Sequence, residues 1–152
     1  MMTKIIFKSV IMTISIVFLL AACASSLTMT DDERTKAYAE YIATEKLESM
    51  DRITSFRFDG FSSLSDENVI ISTGVNKSYL ITFQNHCQNL RFSNVIKINN
   101  TGSSLQAKFD SISVPQSTGM GMKCFIKQIH KLTVEQKKAI LKIGKKSEVN
   151  EA

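Results

Sequence analysis

The chain reads as an α+β domain: an N-terminal helix packed on an antiparallel sheet of five or six strands, with a short C-terminal helix. Three observations predict this. Thr30 and Thr133 stand three residues before Glu33 and Gln136, the spacing of a helix-opening capping box. Between them, β-branched and aromatic residues recur in short runs broken by polar turn residues, the texture of strands. The order is helix, run of strands, helix, which gives an α+β architecture with an antiparallel sheet.

The first 22 residues precede that domain. Lys4 and Lys8 stand in a stretch without acids, and an apolar run follows from Val10 to Leu20. Small residues close it, as in a secretory signal peptide. The competing reading is a retained transmembrane anchor. The run falls short of the roughly 20 apolar residues that a span needs, and Thr13 and Ser15 interrupt it. Leu20-Ala21-Ala22-Cys23 resembles the bacterial lipobox, in which cleavage precedes the cysteine and its thiol carries diacylglycerol. The expected plan is therefore a lipoprotein signal peptide over 1–22 and a lipidated tether over 23–29. A single periplasmic α+β domain follows over 30–146, and a disordered tail over 147–152. Ala24 and Ser25 follow Cys23, and the absence of Asp at position 24 points to the outer membrane, on its inner leaflet facing the periplasm.

Hydrophobic residues make up 43% of the chain and charged ones 22%, which suits a globular fold rather than a disordered one. The net charge of +5 falls to +3 once Lys4 and Lys8 leave with the leader, too mild to imply nucleic acid. With Cys23 lipidated, Cys87 and Cys124 remain. An even pair in an exported domain is read as a disulfide, because the periplasm is oxidising. Closing a loop of this length stabilises a fold by about 4 kcal/mol in the chain-entropy account. Two readings compete: free thiols, and a metal site drawing on His86 beside Cys87 and His130 beyond Cys124. That spacing fits no zinc finger.

The elements follow in order. Acids at Asp31, Asp32 and Glu33 suit the positive end of a helix dipole, and Ala37, Tyr38, Tyr41, Ile42 and Met50 form a stripe at helical spacing. The pattern predicts a helix over 31–50. Phe56-Arg57-Phe58 alternates as a half-buried strand does, Asp59-Gly60 reads as a turn or bulge, and Phe61 to Leu64 carries the strand on. Val69–Ile71 and Tyr79–Phe83 form a hairpin or meander around the turn Gly74–Lys77. A further strand is expected over 95–98, and two short apolar segments flank Phe109-Asp110 and close at Pro115. Gly119-Met120-Gly121-Met122 reads as a loop, Cys124–Leu132 as the last strand, and Thr133–Ile143 as a helix stopped by Gly144.

No catalytic residue emerges. Gly119-x-Gly121 before Lys123 lacks the full phosphate-loop pattern and precedes a strand rather than a helix, so a connector is the better reading. Lys137, Lys138, Lys142, Lys145 and Lys146 load the C-terminal helix with positive charge, which suits either anionic headgroups or a solvated face. His86 and His130 stand in no Ser-His-Asp, H-E-x-x-H or paired-carboxylate arrangement. The carboxylates Asp59, Asp66, Glu67 and Asp110 fall at turns, where Asp serves the backbone.

Between Ile53 and Leu132 the chain resembles a family of small proteobacterial lipoproteins with a domain of unknown function. Phe56-Arg57-Phe58, Tyr79-Leu80-Ile81, Cys87-x-x-Leu90, Phe109-Asp110, Cys124-Phe125-Ile126 and Ile129 carry the resemblance. It implies a lipobox or signal peptide, one helix, then this region, with a Cys87–Cys124 disulfide and no known substrate or catalytic residue. The expectation is a non-enzymatic binding or structural accessory protein of the envelope, without metal or cofactor. Its partners are a membrane, reached through a lipid on Cys23, and an envelope protein. A small periplasmic hydrolase or metal-dependent enzyme using His86 or His130 is the alternative.

Overall fold

The computed structural model describes residues 29–116 and 119–145. The leader, Cys23 and most of the tether lie outside the described residues, as does the tail. Helix α1, Asp31–Thr44, opens with the expected capping box: the Thr30 side chain accepts from the Glu33 amide and the Glu33 carboxylate accepts from the Thr30 amide. The helix stops six residues before Met50. Lys46 takes a left-handed φ of 49°, the Leu47 amide donates to the Ile42 carbonyl and the Lys46 amide to the Ala43 carbonyl. That is a Schellman ending made without glycine. Met50 instead lies in strand β1, Ser49–Met50.

Eight more strands follow: β2 (Arg52–Ile53), β3 (Gly60–Ser65), β4 (Asn68–Ser72), β5 (Ser78–Phe83), β6 (Lys97–Asn99), β7 (Leu105–Gln106), β8 (Ser111–Gln116) and β9 (Gly119–Leu132). Helix α2, Val134–Ile143, opens with the capping box of Thr133 and Gln136. The result is α+β. A strongly curled antiparallel sheet runs β3-β4-β5-β9-β8-β6, β1 pairs with β9, and β2 and β7 form a separate two-stranded piece.

Two expectations for the middle of the chain fail. Phe56-Arg57-Phe58 is not a strand; pairing starts at Gly60, opposite Ser72. Gly119–Met122 is not a loop but the start of β9. A Cβ on Gly121 would lie 2.0 Å from the Val114 carbonyl oxygen, so this strand depends on glycine to approach its neighbour. Pro115 sits inside β8 at the point where the β8–β9 register shifts, a bulge that tolerates its missing amide.

Alternation along β4 and β5 sorts side chains onto two faces. Val69, Ile71, Tyr79, Ile81 and Phe83 enter the concave core with Cys87, Leu90, Ile112, Cys124, Ile126 and Ile129. Ile53 and Leu105, directly paired, reach the same core from the small sheet. Ile70 and Leu80 point the other way, where Tyr38 of α1 and Ile140 of α2 cover them. Burial on both faces explains why these strands read as continuous apolar runs.

Candidate functional site

The β3–β4 turn gathers chain segments from three distant parts of the sequence. Asp66 stands at its centre and is buried. Its amide donates to both carboxylate oxygens of Asp31, the first residue of α1, at 3.1 and 3.0 Å. Its own Oδ1 accepts from the Arg91 amide at 2.8 Å, and its carbonyl accepts from the Cys87 amide at 2.7 Å. Its Oδ2 lies 3.3 Å from Nε2 of His86. Asp66 therefore fixes the connection that leaves β5, passes through the 3₁₀ turn Leu90–Phe92, and crosses the concave core.

Among the described residues, one trio of ligand-type side chains converges: the donor atoms of Asp31, Asp66 and His86 lie within 4.8 Å of one another. Two carboxylates and an imidazole are a donor set that divalent metals accept. Both Asp31 oxygens and Oδ1 of Asp66 already receive backbone amides, so these carboxylates order the chain here; Oδ2 of Asp66 faces His86. Nearby, burial pushes the Tyr38 hydroxyl above its ordinary pKa, with the Arg34 and Arg91 guanidiniums opposing that rise.

The other residues singled out from sequence separate. Cys87 and Cys124 lie at disulfide distance in the concave core, Cα atoms 5.6 Å apart. Their sulfurs face each other, so neither joins a histidine around a metal. His130 is buried on the helix side, in register with Leu80. Its Nδ1 lies 3.1 Å from the Leu47 carbonyl, which can only accept, so Nδ1 carries the proton. Its Nε2 is buried without a partner. The open grooves beside Glu48–Met50 and beside Arg52 contain neither histidine. His86 does meet a carboxylate, the contact a hydrolase would require, but its side chain is 55% exposed. Asp110 serves the backbone as its turn position predicted, accepting from the Gln106 amide at 2.6 Å.

The sequence matches DUF6491, a family of unknown function, over residues 6–148. The chain belongs to this family. The DUF6491 match is wider than the 53–132 stretch that the resemblance covered, and it takes in α1 and the lysine-rich α2. No curated protein and no solved structure matches the chain. No described helix is long and apolar enough to cross a membrane.

What sequence reasoning missed is the meeting of Asp31, Asp66 and His86. Each was visible alone, Asp31 as a dipole partner, Asp66 as a turn residue and His86 as a lone imidazole. Separations of 35 and 25 residues between Asp66 and its partners Asp31 and Arg91 leave no local signal for the contact.

Proposed function

We propose that this chain is a lipid-anchored envelope protein whose stapled α+β domain acts as a non-enzymatic binding or structural accessory module. Cys23 is the acylation site, and the inner leaflet of the outer membrane, facing the periplasm, is the address. The Cys87–Cys124 pair is the observation that carries the reading. A disulfide inside the core suits an oxidising compartment, and a leader ending in Leu20-Ala21-Ala22-Cys23 is the device that delivers a domain there. The carboxylates at turns support the non-enzymatic part, because Asp66 and Asp110 hold backbone amides.

Metabolic labelling with a fatty-acid analogue tests the anchor. Wild type takes up label and Cys23→Ala does not; equal labelling of both removes the anchor. Capture of cross-linked partners from intact envelopes tests the module, and recovery of no envelope protein counts against it.

The Asp66–His86 contact favours a second reading, a small hydrolase or metal-dependent enzyme. On that reading His86→Ala abolishes turnover or metal uptake while leaving partner capture intact.

A further inference from the structure

The arrangement at one end of the molecule carries an inference about how the domain meets its membrane. The β3–β4 turn defines that end, and the β4–β5 turn around Val75 defines the opposite one. Three chain segments meet at the first end. Helix α1 starts there, with Asp31 on the Asp66 amide. Arg34 reaches back from the first turn of α1, its Nε donating to the Met29 carbonyl at 3.3 Å. The 3₁₀ turn lies alongside, its Arg91 amide on Asp66.

Helix α2 ends there too. It begins at the far end, where Lys137 donates to Ser72 at 3.1 Å. It finishes at Gly144, where a Cβ would lie 2.6 Å from an Arg34 nitrogen and 2.9 Å from the Tyr38 hydroxyl. Lys142 and Lys145 are therefore carried toward the end where α1 starts. The helix stands end-on to that surface rather than lying flat on it.

This end also exposes apolar groups that the core does not use. Leu90 of the 3₁₀ turn is fully buried, yet Phe92 is 74% exposed and Val95, three residues on, is 62% exposed. The Arg91 guanidinium lies over the Phe92 ring, 5.2 Å from its centre. An aromatic ring and a valine held out beside an arginine suit the boundary between headgroups and acyl chains, where amphipathic groups settle.

The length of chain before Met29 says what covers them. Cys23 and Met29 are six residues apart, a reach of at most about 20 Å. If Cys23 bears acyl chains, the start of α1 is held within that distance of the bilayer, and the segments packed against it are brought close to the same surface. The geometry points to this: the tip Arg91–Val95 is a second membrane contact, its Phe92 and Val95 entering the phospholipid surface next to the lipid anchor. The inference rests on acylation of Cys23 as proposed above. Asp31, Asp32 and Glu33 open α1 at this end, Arg34 and Arg91 lie there too and Lys142 and Lys145 are carried toward it, so charge is mixed and the apolar pair supplies the attraction.

The chain has no tryptophan, which makes the test direct. Phe92→Trp places a single fluorophore in the tip, and Val75→Trp, at a position 90% exposed, places one at the opposite end. Each full-length protein, purified from membranes, is reconstituted into phosphatidylethanolamine–phosphatidylglycerol vesicles with and without brominated acyl chains. Flotation and intact mass report the anchor separately. The expected result is several-fold stronger bromine quenching at position 92 than at position 75. A floating, acylated protein with equal quenching at both positions overturns the membrane tip and leaves the anchor standing. If the tryptophan at 92 escapes bromine but is shielded from iodide in intact envelopes, a protein covers the tip and the inference is wrong. An unacylated protein that does not float overturns the inference and the anchor together.

Discussion

On its concave side the curled sheet is closed by irregular chain: the crossing from Gln84 to Ile96, and the short β2–β7 ladder that brings Ile53 and Leu105 into the core. On its other side it is closed by two helices, α1 and α2, through Tyr38 and Ile140, with Leu47 from the turn after α1. The helices satisfy their own backbone and carry capping boxes, so side-chain packing is enough to seat them. The crossing has no such internal ladder. Its position depends on tie points, namely the Cys87–Cys124 bond, the Asp66 carboxylate on the Arg91 amide, and the Asp66 carbonyl on the Cys87 amide. A cover made of loop needs covalent and charged ties, whereas a cover made of helix needs an apolar stripe.

That contrast breaks most readily at the disulfide. Replacing Cys87 and Cys124 by Ala should cost about 4 kcal/mol, since the bond closes a separation of 37 residues. Hydrogen exchange should rise across 84–96 well before it rises in α1 or α2. Uniform loosening of both covers would show that the tie is not local.

On the helix side, Ile140→Ala should cost about 3 kcal/mol in denaturant unfolding, because the side chain is fully buried between α2 and the sheet. Here protection should fall first in α2, with the crossing unaffected. Asp66→Ala comes next, at about 2 kcal/mol for leaving the part-buried Arg91 amide without its charged acceptor. It should also raise the mobility of the 3₁₀ turn, read as lost protection at Arg91. Preserved protection there would remove Asp66 from its ordering role.

The smallest effect belongs to the first helix cap. Thr30→Ala should cost about 1 kcal/mol. The Thr30 amide holds the Glu33 carboxyl below its ordinary pKa, with the Thr30 hydroxyl adding to it. A depressed folded value means this contribution is present above the unfolded carboxylate range and is lost as pH falls through the folded one. The acid limb of the stability profile should therefore flatten slightly in Glu33→Gln.

Legibility in the sequence followed the range of the contacts. Both capping boxes, the paired strands β4 and β5, and the turn at Gly74–Lys77 are local, and each was visible from spacing and residue type. The end of α1 was not, because Lys46 adopts the left-handed conformation that glycine usually marks. Phe56-Arg57-Phe58 alternates like a strand but finds no partner there; the Phe56 amide goes instead to the Ser103 carbonyl. Gly121 looked like loop because the reason for it, the nearness of Val114 across a bulge, lies on another strand. The knot at Asp66 was hidden for the same reason. His86 and His130 looked equivalent in sequence, yet one faces solvent beside a carboxylate and the other is buried under Leu47.

Intact mass measurement on the native polypeptide, extracted from envelopes without reductant, reads the anchor and the staple at once. The account predicts a chain that begins at Cys23, carries diacylglycerol with its acyl groups, and is lighter by the two thiol hydrogens of Cys87 and Cys124. A chain that begins at Met1 with all three thiols free contradicts it.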